Sequence, residues 1–194
     1  MATFDDNPTS TISQTGWTET SDSVWEDLSV LVNGTSTSDE TTTDDDNSNA
    51  LILGGTTLPG DFPAGGADSI SYTIGMRVQS TKNISPLPQM KFIITTSANA
   101  EIANVTVSLG GSPTVFTDYT GSMSITGNNT DTGWTGHRLR LEPISNDTDH
   151  TDFEVYKLQA VVTYDGGGVF PLGAKIILGS SNSIIQPPMA GFTQ

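Results

Sequence analysis

The amino-acid sequence predicts an all-β protein, and three features carry that expectation. Residues 69–79, SISYTIGMRVQ, alternate without a break: Ile70, Tyr72, Ile74, Met76 and Val78 fall on one side, Ser71, Thr73, Gly75, Arg77 and Gln79 on the other. A side-chain period of two, apolar on one side and polar on the other, belongs to an antiparallel strand that covers a core and meets water. Turn signals divide the chain into roughly eight such segments, about every 8 to 15 residues, which is the spacing of a sandwich or barrel. Ten Pro and twenty Gly are scattered too evenly to leave a long stretch of helical period.

The elements follow in order. Residues 1–23 are mostly Thr, Ser and Asp and read as an arm or edge segment, with Trp17 as the exception. From Trp25 the sequence WEDLSVLVNG places Leu28, Val30 and Val32 in phase before an Asn33-Gly34 turn. Residues 35–49 hold no apolar side chain and are expected to form an exposed loop. A short apolar strand, ALILGG, and a Pro/Gly-rich turn lead into the strand at 69–79. MKFIITTSA and EIANVTVSLGG give two more strands, with Val105, Val107 and Leu109 in phase, and TVFTDYTGSMSITG gives weaker ones. In GWTGHRLRLEPI, Leu139 and Leu141 oppose Arg138, Arg140 and Glu142, and the loop SNDTDHTD ends the run. In VYKLQAVVTYDGGG, period two sets Tyr156, Leu158, Ala160, Val162 and Tyr164 against Val155, Lys157, Gln159, Val161 and Thr163.

Composition excludes whole classes. The chain has no Cys, so a disulfide framework, a thiolate metal site and a Cys nucleophile are all ruled out. The net charge is −15, and the first 76 residues carry 13 acidic and no basic side chains. Phosphate backbones and anionic membranes need clustered Lys or Arg, so neither nucleic acid nor membrane is expected as a partner. The N-terminus lacks a basic and an apolar leader region, which predicts synthesis in the cytosol.

Catalysis needs particular residue types in particular patterns, and few of them are present. His137 and His150 are the two histidines, in loop-like contexts, and no nucleophile elbow, zinc motif, P-loop or dinucleotide fingerprint accompanies them. Glu101, Glu142 and Glu154 are acidic candidates that nothing pairs into a glycosidase site. Asp44, Asp46 and Ser48, or Asp45, Asn47 and Asn49, alternate as in a Ca²⁺ loop, but the turn Gly and closing Glu are missing; Asp147, Asp149 and Asp152 fail likewise. The expectation is therefore no catalytic residue, no metal and no cofactor. Trp17, Trp25 and Trp134 read as core or rim plugs before ligand platforms.

The tail after Gly168 is apolar in short clumps: Phe170, Ile176, Ile184, Ile185, Met189 and Phe192 need a surface to lie on. That surface is either the chain's own sandwich or a neighbouring subunit reached by strand addition or an apolar latch. These six residues are the expected partner-binding set.

The order of pieces carries a resemblance. A Trp opening at Trp25, the LILGG strand, the turn LPGDFPAGGADS, the long alternating strand, then TGWTGHRLRL and VYKLQAVVTYDG together resemble the jelly-roll β-sandwich domains of tailed-bacteriophage virion proteins, such as head decoration or cement proteins. The resemblance implies an antiparallel jelly-roll β-sandwich at 24–168 with extended arms at 1–23 and 169–194. It also implies a non-enzymatic capsid decoration protein on the phage head surface, often a homotrimer, that binds the major capsid protein or another virion protein. The alternative is a carbohydrate- or receptor-binding module of a phage tail or fibre, with Trp17, Trp134 or Tyr119 and the acidic loops lining a sugar site. A binder would cluster aromatics on one set of loops, whereas a cement protein would place apolar anchors in its termini, as this chain does.

Overall fold

In a computed structural model, residues 1–19, 41–43, 49–80, 88–109, 116–144 and 151–166 are described. They form an antiparallel jelly-roll β-sandwich of two six-stranded sheets. In chain order the elements are β1 (Ala2–Asp6), β2 (Ser10–Thr15), β3 (Trp17–Glu19), β4 (Thr41–Thr43), β5 (Ala50–Gly54), β6 (Ser69–Ser80), β7 (Gln89–Thr95), β8 (Glu101–Ser108), β9 (Thr117–Ser122) and β10 (Ser124–Ile125), then α1 (Asp131–Trp134), β11 (Arg138–Ile144) and β12 (Thr151–Tyr164). The first sheet runs β3-β4-β12-β6-β9, with β1 also paired to β12; the second runs β10-β8-β7-β11-β5-β2.

The alternating text becomes the core as expected. Ile70, Tyr72, Ile74 and Met76 of β6 point inward with Leu158, Ala160 and Val162 of β12. They meet Leu51 and Leu53, Met90, Phe92 and Ile94, and Leu139 and Leu141 from the other sheet. Each fully buried aliphatic or aromatic side chain of this kind contributes roughly 1.5–3 kcal/mol of transfer free energy, which is how a chain without cysteine holds two sheets together.

Three expectations change. The segment 1–23 is no free arm over its described part: β1 pairs with β12, β2 with β5 and β3 with β4. Phe4 supplies the reason, because it packs edge-on to Phe62 and Trp134, with ring centroids 5.9 and 6.3 Å away. The polar run 35–49 is not all loop: Thr41–Thr43 form β4 between β3 and β12, and Asn49 is buried. Consecutive β-branched threonines fit a pleated strand even when no apolar residue marks it. Finally, β12 carries a bulge between Val155 and Lys157, so Val155 and Leu158 both face the core and Tyr156 does not.

The 25–34 strand, the acidic run 44–48, His150 and the tail 169–194 lie outside the described residues.

The end of the sandwich near α1 is closed by an Asn clamp. The Asn129 side chain accepts from the Ala67 amide at 2.8 Å and donates to the Ala67 carbonyl at 2.8 Å. Its oxygen also accepts from Trp134 Nε1 at 2.8 Å, which fixes a fully buried indole. Thr130 caps the single turn of α1 by accepting from the Gly133 amide at 3.1 Å.

If β1 is part of this core, Phe4→Ala lowers the unfolding free energy by about 2 kcal/mol or more in a denaturant titration. An unchanged midpoint would return residues 1–23 to a detachable arm.

Candidate functional site

The bulge in β12 turns Tyr156 onto the outer face of the first sheet, where its ring lies against Gly75 of β6. A Cβ at Gly75 would stand 2.4 Å from the Tyr156 ring, so only glycine leaves room. Asp118 of β9 is in register with Gly75, and the Tyr156 hydroxyl donates to its carboxylate. Lys157 Nζ reaches the other Asp118 oxygen at 3.2 Å. Phe116, just before β9, stands edge-on to Tyr156 with centroids 4.8 Å apart, and the Arg77 guanidinium sits 4.4 Å from the Phe116 centroid. Arg77 also pairs with its cross-strand partner Glu154. Gln159 and Thr73 continue the same face as a cross-strand pair.

The result is a half-buried tyrosine bordered by Phe116 and by ionic and amide side chains. Burial first, and then the hydrogen bond and negative charge of Asp118, push the Tyr156 hydroxyl up to about 12, so it stays a neutral donor at physiological pH. The outer face of the second sheet differs. There Lys91 meets Glu101 at 3.6 Å, Arg140 pairs with Glu142 and Arg138 donates to Asn99 at 2.9 Å. Among the described residues, that ionic lattice carries no aromatic ring.

A second feature lies at the β1 end. A cleft of about 230 Å³ is lined by Gly55, Thr56, Thr57, Leu58, Thr135, Gly136 and His137. Beneath it His137 and Asp6 are buried, with side chains 1 % and 0 % exposed. His137 Nε2 lies 2.8 Å from Asp6 Oδ2, and Nδ1 lies 2.8 Å from the Trp134 carbonyl oxygen. The other Asp6 oxygen accepts from the Thr56 amide at 2.8 Å. Burial pulls the proton affinity of His137 down, but the Asp6 hydrogen bond and charge, with the Trp134 carbonyl, outweigh it and leave the imidazole above its ordinary value. Both ring nitrogens are engaged, Nε2 by Asp6 and Nδ1 by the Trp134 carbonyl, which leaves neither to take a proton from a nucleophile.

The residues named from the sequence are dispersed. Trp17 and Trp134 are core side chains at 4 % and 0 % exposure, and Tyr119 is partly buried against the core. Trp17 and Trp134 are therefore too deeply buried to form a sugar platform. Glu101, Glu142 and Glu154 lie in the ion pairs above, on separate strands, Glu101 and Glu154 paired across strands and Glu142 with Arg140 of its own strand. Trp25 and the partner-binding set Phe170, Ile176, Ile184, Ile185, Met189 and Phe192 lie outside the described residues. Tyr156 and the buried role of His137 were missed by sequence reasoning. The signal for Tyr156 was available: Phe153, Val155 and Leu158 break period two, opposite a glycine in β6.

No family model and no curated protein matches the chain. Among solved structures it is similar to the xylan-binding module CBM15, with 10 % identity and a TM-score of 0.44 over 83 % of this chain and 90 % of that one. It is also similar to the CBM22-1 xylan-binding domain from Paenibacillus barcinonensis, with 12 % identity and a TM-score of 0.37 over 82 % and 94 %. A glycoside hydrolase family 43 arabinoxylan arabinofuranohydrolase from Bacillus subtilis matches at 19 % identity and a TM-score of 0.37, over 66 % of this chain. The chain spans 21 % of that hydrolase's length.

Tyr156 is expected to ionise near pH 12 in an ultraviolet titration, and Asp118→Asn to lower that value by removing the charge its hydroxyl faces, while the larger effect of burial keeps it above the ordinary tyrosine value. Identical titrations of the two proteins would show that Asp118 does not hold the ring.

Proposed function

We propose that the chain is a non-enzymatic carbohydrate-binding β-sandwich module whose ligand lies across Tyr156 on the outer face of the β12-β6-β9 sheet. The observation that carries this reading is the Tyr156 ring seated on Gly75 and in T-shaped contact with Phe116. A ring held against a sheet presents a flat apolar surface at low entropic cost, and sugar rings offer apolar C–H faces to meet it. Hydroxyl groups of the ligand then find donors and acceptors in Arg77, Asp118, Lys157, Gln159 and Thr73. A few placed polar groups around an apolar contact are the usual composition of a small-molecule site.

The decoration-protein reading, with its trimer and its capsid partner, depends on Phe170, Ile176, Ile184, Ile185, Met189 and Phe192, and no feature of the described residues favours it over the glycan reading.

Binding is tested by calorimetry against soluble xylan, β-glucan and mannan. Tyr156→Ala is expected to weaken the strongest of these at least tenfold, about 1.4 kcal/mol, without altering the far-ultraviolet circular dichroism. Equal affinity of the variant, or no binding to any glycan by the unaltered chain, would overturn the proposal.

A further inference from the structure

The contacts around His137 couple three separate stretches of chain through one proton. Nδ1 faces a carbonyl oxygen, which requires an N–H on that nitrogen. Nε2 faces a carboxyl oxygen whose partner oxygen already accepts from the Thr56 amide, so a second proton must lie between Nε2 and Oδ2. The two contacts need one proton on Nδ1 and one between Nε2 and Oδ2, and an imidazolium beside a carboxylate supplies both. Among the described residues the ring meets Asp6 from β1, the Trp134 carbonyl and indole from α1, and Gly55 from the segment after β5. Of these, Asp6 alone is charged.

The stretches so joined form the wall of the cleft. Asp6 is the last residue of β1, and the next residue, Asn7, donates to Thr56 Oγ1 at 3.0 Å and accepts from it at 3.2 Å. The Gly55 amide donates to the His137 carbonyl at 3.2 Å. Loss of the ring proton would set a nitrogen lone pair against either the Asp6 carboxylate or the Trp134 carbonyl oxygen, each 2.8 Å away, and leave a buried anion without its counter-charge. Opening the site to water relieves both.

We propose that the Asp6–His137 contact is a pH-sensitive latch that holds β1 and the 55–58 wall of the cleft against the 134–137 turn while the imidazole is doubly protonated, and releases both when the proton is lost.

The direction of the effect follows from linkage. His137 binds its proton more tightly folded than unfolded, so its contribution to stability is full below about pH 6.5 and is lost as pH rises through the folded value.

The test uses the intact chain labelled with ¹⁵N. Imidazole nitrogen shifts are followed from pH 5 to 10, with His150→Gln used to assign the two histidines, and amide protection factors are measured over the same range. His137 is expected to carry protons on both nitrogens at pH 7, and protection in β1 and at Gly55 and Thr56 to fall at least tenfold across its titration while β7 and β8 hold theirs. His137→Gln should abolish that pH dependence; if this variant does not fold, the unaltered chain still decides. A neutral His137 throughout pH 6–7, protection in β1 that ignores its titration, or equal loss in β7 and β8 would overturn the latch.

Discussion

The register of β12 against β6 is the constraint on which the other features depend. β12 is the longest strand, and it pairs with β6 along one edge and with β4 and then β1 along the other. A slip of one residue in such a strand would exchange its core and solvent faces, so its phase is fixed by Leu158, Ala160 and Val162 fitting between Ile70, Ile74 and the opposite sheet. The bulge at Tyr156 then lets Phe153 and Val155 enter the same core from the other side of the phase break. One extra residue thereby satisfies two apolar runs and puts an aromatic ring on the surface. Core packing and the candidate binding face are two consequences of one local irregularity.

The same strand positions the other end of the molecule. Pairing of Ala2 through Asp6 with Tyr164 through Ala160 brings Phe4 beside Tyr164 and delivers Asp6 to His137. Phe4, Phe62, Trp134 and Tyr164 form one aromatic cluster, and the Tyr164 hydroxyl donates to Asp61 at 2.9 Å. Edge-on and tilted rings of this kind hold a sandwich end without long aliphatic side chains. Asn129 serves the same end by bonding both backbone groups of Ala67, as a strand neighbour would. Polar groups therefore close an end that the two hydrophobic faces do not reach.

Much of the fold was legible in the text because period two survives wherever one face is wet. The strands β6, β7, β8 and β11 all fall where alternation placed them, and so do the buried leucines at 139 and 141. Reading failed where stabilisation is not local. β1 and β2 carry few apolar residues, and their place comes from partners 35 or more positions away. β4 is three threonines, whose strand state depends on edges offered by β3 and β12. His137 does lie in the turn between α1 and β11, as its context suggested, but its burial was illegible because its partner lies 131 positions earlier in the chain. The candidate face was illegible for a different reason: a bulge is invisible to a strict period-two template, which set Tyr156 on the same side as Leu158.

Charge placement ties the glycan reading to the acidity of the chain. Both cations on the outer face of the first sheet are matched there by carboxylates, Arg77 by Glu154 and Lys157 by Asp118. The face thus offers directional hydrogen bonds without a local positive field, while the whole chain carries −15. A ligand bearing many negative charges would meet net repulsion on approach, screened over about 8–10 Å at physiological salt. An uncharged ligand meets none, and its affinity must come from contact with the ring and from exchanging water for placed donors and acceptors. Such exchange is nearly neutral per hydrogen bond, so the apolar contact decides the outcome. That places the energetic weight of this face on Tyr156, the residue that the bulge releases from the core.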